Sequence, residues 1–107
     1  MSVVQASGTA WKASRTPGIS VKVLRSDKAS GESTTLIRVD AGAKIPPHDH
    51  PGGEEIFVLE GDLTVGGDRM KAGDYLYTPP NAIHAASSQG GCLVLVVLPQ
   101  PVRIVAD

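Results

Sequence analysis

The sequence predicts an all-β domain, either a sandwich or a barrel of short strands, from three observations. Twelve glycines and eight prolines divide the 107 residues into short segments. No window keeps an apolar period of about 3.6 residues for long enough to predict a helix. The segments are instead rich in β-branched and aliphatic residues and are bounded by turn signals, a pattern typical of all-β folds.

Taken in chain order, the segments indicate about nine or ten strands. Residues 19–24 alternate apolar and polar side chains, and residues 34–39 follow a Ser-Gly-Glu-Ser turn. Two glycines and an aspartate separate residues 63–65 from residues 69–72 and predict a hairpin, because glycine accepts positive φ without steric cost. The other predicted strands are residues 55–60, 75–79, 83–87, 92–98 and 102–105.

Length and charge restrict the domain organisation and the partners. The chain fits one domain, residues 1–107, in which residues 1–18 form an amino-terminal arm that Trp11 anchors. Its formal charge of −1 and scattered basic residues argue against nucleic acid and anionic membranes. A single cysteine, Cys92, excludes an internal disulfide. The longest apolar run, residues 92–98, is too short to span a bilayer, and no secretory signal is recognisable, so we expect a cytoplasmic protein.

The three histidines and one glutamate predict a metal site. His48 and His50 stand two residues apart on extended backbone and therefore point the same way. A Pro-Gly-Gly turn then allows Glu54 to return to the same side. Two imidazoles and a carboxylate can bind a metal ion and leave coordination positions open. His84, after a later strand, is the one histidine left to complete the set.

Several neighbouring residues have open roles. Glu55 is the alternative carboxylate ligand, although strand alternation places it on the face opposite Glu54. Tyr75 and Tyr77 could line a pocket beside His84 and hydrogen-bond the ligands, or they are ordinary half-buried sheet aromatics. Arg38 could bind an anionic substrate or could lie on a solvated strand face. Cys92 is most simply a small buried hydrophobe.

The spacing of these residues resembles the two motifs of the cupin superfamily. The first reads Gly42, five residues, His48-x-His50, three residues, Glu54, six residues and Gly61. The second reads Gly73, five residues, Pro79-x-Asn81, two residues and His84. It departs from the family pattern twice, since Asn81 replaces a glycine and Ser88 replaces an asparagine. Asn tolerates left-handed backbone better than other non-glycine residues, so the first departure is mild.

Further stretches resemble the ChrR-type cupin-like family, which includes the metal-binding domain of zinc-dependent anti-sigma factors. These stretches lie near Trp11 to Leu24, around the histidine pair, before His84 and at residues 91–98. The resemblance implies a small double-stranded β-helix, or jelly-roll, barrel. It also implies that His48, His50, Glu54 and His84 hold one divalent ion, which could be Zn, Fe, Mn, Ni or Co.

This likeness supports several functions. The first is a metal-dependent dioxygenase acting on a small molecule, which needs no protein nucleophile, so the sequence identifies no catalytic residue. The second is a non-enzymatic metal-holding sensor or ligand-binding module. A metal-free sugar-binding or isomerase-like barrel is disfavoured because all four ligand positions are filled. Anti-sigma factors of this family bind the sigma factor through a separate zinc domain. The sequence has no cysteine–histidine cluster that would form such a domain, which argues against sigma-factor inhibition.

The central strand predicts a homodimer. Phe57 and Leu59 share one of its faces, and Ile56 and Val58 share the other. A strand that is apolar on both faces requires cover on both sides. One face would meet the barrel interior, and the other an amino-terminal strand or a second subunit.

Overall fold

The strands form an antiparallel sheet that curls on itself, as the sequence predicts. The computed structural model describes residues 1–101 and the backbone of residues 103–104, and in that part of the chain the one helical element is a 3-10 turn, Ala6–Gly8. The strands there are β1 (Lys12–Ala13), β2 (Ile19–Ser26), β3 (Ser33–Val39), β4 (Lys44–Asp49), β5 (Glu54–Val65), β6 (Asp68–Lys71), β7 (Tyr75–Thr78), β8 (Ile83–Ser87), β9 (Cys92–Leu98) and β10 (Arg103–Ile104). The remainder of the last predicted strand, residues 102 and 105, lies outside the described residues.

Strand β5 belongs to both halves of the curled sheet. Its first part pairs with β7 on one side and β9 on the other, and the sheet continues through β3 and β2 to β1. Its last part pairs with β6 and β8, and the sheet continues through β4 to β10. The two halves therefore face each other across a common interior. His48 and His84 lie in the β5–β8–β4 half, whereas Glu54 begins β5 in the half that contains β7 and β9.

The long strand β5 corrects the prediction of two separate strands, residues 55–60 and 63–65. The chain passes Gly61 without leaving the sheet, although the register with β9 shifts between Val58 and Glu60. Gly61 has φ 81°, and a Cβ there would overlap the carbonyl oxygen of Gly91 on β9's leading turn. Only glycine allows this close approach, so the motif glycine keeps one continuous strand in both halves of the sheet.

The hydrophobic core fills the space between the two halves of the sheet. Alternate residues of β5 and β9 point inward, so Ile56, Val58, Val94 and Val96 are buried. Aliphatic residues of β2, β3, β6 and β8 complete this cluster, which includes Cys92, as expected for a small buried hydrophobe. Burial raises the pKa of the Cys92 thiol. The polar cluster described below lies at the edge of this apolar interior.

The amino-terminal segment packs on the outside of β2 and β3. The Trp11 ring contacts two cations, with Lys22 Nζ 4.7 Å and Arg38 Cζ 4.3 Å from its centroid. Lys22 Nζ also donates a hydrogen bond to the carbonyl of Ala6, at 2.7 Å. Strand β1, which the sequence did not predict, pairs with β2 just after this contact. Trp11 therefore fastens the segment to the sheet by cation–π contacts.

Candidate metal centre

Four side chains from three strands and one loop converge at a single point. One ligand atom from each of His48, His50, Glu54 and His84 lies within 4.8 Å of the others. The imidazole centroids are 4.5 Å apart for His48 and His50, 4.5 Å for His50 and His84, and 5.2 Å for His48 and His84. The structure thus brings together all four residues that the sequence suggested as metal ligands.

Strand pairing places His48 opposite His84. The two residues are partners in the register between β4 and β8. That register shifts between Ile45 and His48, at Pro46 and Pro47, which have no backbone N–H to donate to a neighbouring strand. Pro46 and Pro47 predict extended backbone at this point, and the structure shows an irregular strand with a bulge at the two prolines. The bulge sets the local direction in which His48 projects.

The loop that carries His50 is tied to the loop that precedes His84. The carbonyl oxygen of His50 accepts hydrogen bonds from the backbone N–H of Gly53, at 2.9 Å, and of Asn81, at 2.8 Å. Asn81 has φ 67°, the left-handed conformation that the family's glycine would take. This confirms the expectation that asparagine can replace glycine here. The two motifs are therefore joined through backbone as well as through their side chains.

Backbone carbonyls fix the tautomers of two imidazoles. The Nδ1 atom of His48 is 2.8 Å from the carbonyl oxygen of Pro46, and Nδ1 of His50 is 3.2 Å from that of Ala82. A carbonyl only accepts hydrogen bonds, so each Nδ1 carries a proton and Nε2 is the ring atom left to bind a metal ion. Carbonyls that orient a metal-bound imidazole act in this way.

The cluster is largely buried, and burial disfavours the charged forms of His50, Glu54 and His84. His50 is fully buried, and Glu54 is 5% exposed. Burial raises the pKa of Glu54 to about 7. Burial, together with the nearby imidazoles of His50 and His48, lowers the pKa of His84 to about 4. Burial likewise lowers the pKa of His50. At neutral pH, His50 and His84 are therefore neutral and able to donate lone pairs.

Two buried atoms of the cluster lack a hydrogen bond, which is the observation that best fits a bound cation. Nε2 of His50 and Oε1 of Glu54 are buried and unpaired within the described part of the chain. They lie 3.1 Å apart, and Nε2 of His84 is 3.5 Å from the same carboxylate oxygen. Lone pairs this close repel unless a proton or a metal cation lies between them. Three imidazoles and one carboxylate are a donor set that divalent transition metals accept.

An apolar cavity opens beside the cluster. Its volume is about 170 Å³, and His48, Glu54 and His84 form part of its wall. The rest of the lining is aliphatic, apart from one hydroxyl side chain, Thr16. Thr16 could not be predicted as a lining residue, because nothing in the sequence near it indicates that its turn meets a cavity formed by distant strands.

Four residues with open roles lie away from the cluster. Glu55 is exposed on the outer face of β5 and accepts a hydrogen bond from the hydroxyl of Tyr75, at 2.7 Å. Tyr75 is 55% exposed and Tyr77 is 58% exposed, and both lie on the β7 strand beside the exposed residues of β5. Arg38 stacks on Trp11 outside the barrel and does not line the cavity. In each case strand alternation turns the side chain to the outer face.

Ser88, the second departure from the family motif, has a structural role. Its hydroxyl is buried and donates a hydrogen bond of 2.6 Å to the carbonyl of Asp62. Its own carbonyl accepts from the N–H of Gly42, at 2.8 Å. Ser88 thus connects the end of β8 to β5 and to the turn before β4, apart from the four ligands.

Comparison with known proteins identifies the family. The ChrR cupin-like domain matches the chain over residues 1–101. The chain belongs to the ChrR cupin-like family. This confirms the resemblance seen in the motifs, and the sheet described above is its cupin barrel. Within the described residues, no helix has the length and apolar character needed to cross a membrane.

Several known proteins resemble this cupin. The DNA damage-repair/toleration protein DRT102 of Arabidopsis thaliana is 32% identical over 74 residues, which are 64% of this chain and only 23% of that protein. The structure of a provisionally assigned acetylacetone dioxygenase from Methylibium petroleiphilum has a TM-score of 0.92 and 26% identity, covering all of this chain and 82% of that one. An acetylacetone dioxygenase from Acinetobacter johnsonii has a TM-score of 0.85 over the whole chain and 78% of its own, but 18% identity, so it shows the fold alone.

Proposed function

We propose that this cupin binds one divalent metal ion through His48, His50, Glu54 and His84 and is a metal-dependent dioxygenase for a small molecule. The observation that carries the proposal is the pair of buried, unpaired ligand atoms, Nε2 of His50 and Oε1 of Glu54, facing each other at 3.1 Å. Without a proton or a cation between them, these atoms lose hydrogen bonds to water and gain none in the protein.

Some residues of the chain would hold the metal ion, and others would form the cavity in which the substrate reacts. A bound Fe(II) or Mn(II) would supply Lewis acidity and electron transfer to dioxygen. Pro46 and Ala82 hold two imidazoles through their carbonyls, which sets the ligand geometry before the ion arrives. The aliphatic wall of the cavity keeps water from the substrate. The similarity to the provisionally assigned acetylacetone dioxygenase from Methylibium petroleiphilum supports this class of reaction.

A second function, a metal-holding sensor or ligand-binding module, is favoured by one specific observation. Apart from the proposed ligands, the described residues that line the cavity include no side chain that titrates, and Thr16 carries the one hydroxyl among them. Such a lining binds a ligand but offers no additional acid or base for a reaction. The family relationship to the ChrR cupin-like domain is compatible with this role.

Two measurements distinguish these functions. Metal analysis of protein purified without added metal identifies the resident ion and its stoichiometry. Oxygen consumption by iron-loaded protein is then measured with a panel of thiols, diketones and phenolic ketones. Turnover that disappears in His84→Ala supports the dioxygenase. Tightly bound zinc with no oxygen consumption over the panel would replace it with the sensor. Protein that binds no metal stoichiometrically would contradict both.

We also propose that the protein is a homodimer through the outer face of β5 and β7. Phe57 and Leu59 are 41% and 39% exposed, next to the more exposed Tyr75 and Tyr77. Large apolar side chains grouped on one sheet face are typical of association surfaces. The amino-terminal segment packs on β2 and β3 and leaves these residues exposed.

A further inference from the structure

The cavity beside the cluster limits the size of any ligand. Its volume of about 170 Å³ is close to that of engineered cavities, about 150 Å³, that hold benzene. Pockets for drug-sized ligands begin at about 300 Å³. The cavity therefore accommodates a molecule of about six to eight non-hydrogen atoms, too few for a sugar phosphate or a nucleotide.

The lining also limits the charge of the ligand. No lysine or arginine lines the cavity within the described residues, and its walls are aliphatic side chains such as Ile19, Ile37, Ile56 and Val94. A divalent ion held by three neutral imidazoles and one carboxylate leaves the site with one net positive charge. A neutral or singly anionic ligand suits such a site. A dianion would leave an uncompensated negative charge among apolar groups, which is costly.

Thr16 is the remaining polar side chain on the cavity wall. It lies in the turn between β1 and β2, whose backbone is fixed by its own hydrogen bonds. Thr16 N–H donates to Ser14 Oγ at 3.1 Å, Ser14 Oγ donates back to Thr16 O at 3.0 Å, and Ile19 N–H donates to Thr16 O at 3.2 Å. Within the described residues none of these bonds uses the Thr16 hydroxyl. The hydrogen bonds of the turn therefore fix the Thr16 backbone and leave its hydroxyl available to bond a ligand.

We propose that Thr16 is a specificity-determining residue, whose hydroxyl hydrogen-bonds a small ligand with at most one negative charge in this cavity. The inference rests on the proposed function, because the charge argument needs the metal ion. It goes further in assigning a ligand contact to the amino-terminal segment, which Trp11 fastens to the sheet. A threonine hydroxyl in an otherwise apolar lining would favour a ligand that offers it a hydrogen-bonding partner over an apolar ligand of equal size.

The test measures ligand binding to cobalt-loaded protein, by the visible spectrum of the bound cobalt and by calorimetry. Acetylacetone is the small probe with at most one negative charge, and oxalate is the dianionic probe. We expect acetylacetone to bind at least tenfold more tightly than oxalate. Thr16→Val, which keeps the shape and removes the hydroxyl, is expected to weaken acetylacetone binding by about three- to tenfold. Thr16→Ser is expected to restore it to within about twofold.

Thr34→Val is the matched control, because Thr34 lies on β3 outside the cavity lining. It should leave both affinities unchanged. Equal or tighter binding of oxalate, or no binding of either probe, would overturn the ligand class. Unchanged acetylacetone binding in Thr16→Val would overturn the role of Thr16. Failure of the wild-type protein to bind cobalt at all is a separate result, and it would overturn the metal centre itself.

Discussion

At the scale of single residues, the adjacent glutamates Glu54 and Glu55 have the same side chain but opposite surroundings. Glu54 points into the barrel toward two imidazoles, whereas Glu55 points outward and pairs with Tyr75. Strand alternation alone produces this difference. The pair therefore offers a substitution and its control at neighbouring positions of one strand.

We expect Glu54→Gln to weaken metal binding by about 100-fold or more, because it removes an anionic ligand, and Glu55→Gln to leave it unchanged. Competition with a chromophoric chelator measures both affinities. Circular dichroism verifies that each variant keeps its strands. Equal metal affinity in the two variants would show that Glu54 is not a ligand.

The raised pKa of Glu54 predicts that the free energy of unfolding of the metal-free protein depends on pH. Since burial raises this pKa from 4.5 to about 7, the folded state binds more protons than the unfolded chain between these values. The contribution of Glu54 to the free energy of unfolding therefore falls as pH rises through this range. The lowered pKa of His84 acts in the opposite direction, between about pH 4 and 6.5.

The variant Glu54→Gln separates the contribution of Glu54 to the free energy of unfolding from that of His84. Without metal, we expect this variant to be more stable than the wild type at pH 8, by about 2–3 kcal/mol, because the amide carries no charge to bury. The difference should shrink as pH falls and vanish near pH 4.5. Urea denaturation in the presence of a chelator measures it. A difference that does not change with pH would contradict the assigned cause.

At the scale of elements, the loop before β8 holds the two motifs together. Asn81 has left-handed backbone, and its N–H binds the carbonyl of His50. Glycine and asparagine adopt this conformation at little cost, while a β-branched residue does not. The free energy of unfolding thus depends on which residue occupies position 81.

We expect Asn81→Gly to change the free energy of unfolding by less than about 0.5 kcal/mol, and Asn81→Val to lower it by about 1–2 kcal/mol. Chemical denaturation measures both. The valine variant should also bind metal less tightly, because the loop would no longer hold the His50 carbonyl. A valine variant as stable as the wild type would mean that the loop relaxes at no cost.

At the scale of the whole molecule, the exposed apolar face predicts self-association. Light scattering coupled to gel filtration should give the mass of a dimer for the wild-type protein. The double variant Phe57→Glu/Leu59→Glu should give a monomer, because it introduces charges that would be desolvated in the interface. Val23→Glu is the control, as Val23 is also about half exposed but lies on β2. A monomeric wild-type protein would remove the proposed interface.

The all-β class and the cluster of ligands were predictable because both depend on local pattern. Period-2 alternation and glycine or proline turns indicate strands without reference to distant residues. The motif spacing predicted that His48, His50, Glu54 and His84 meet, since histidines are rare in this chain and the spacing is specific. The strand boundaries near Gly61 were not predictable, because glycine there keeps β5 continuous instead of ending it.

By itself, the sequence determined the strand content, the family and the four residues that meet at one point. These follow from residue type and spacing, which are local properties of the chain. Only the tertiary structure decided which face each remaining side chain occupies. It turned Tyr75, Tyr77 and Arg38 to the outside and brought Thr16 to the cavity. The physical reason is that a cavity wall is assembled from strands distant in sequence, and their curvature and register are set by packing of the entire sheet.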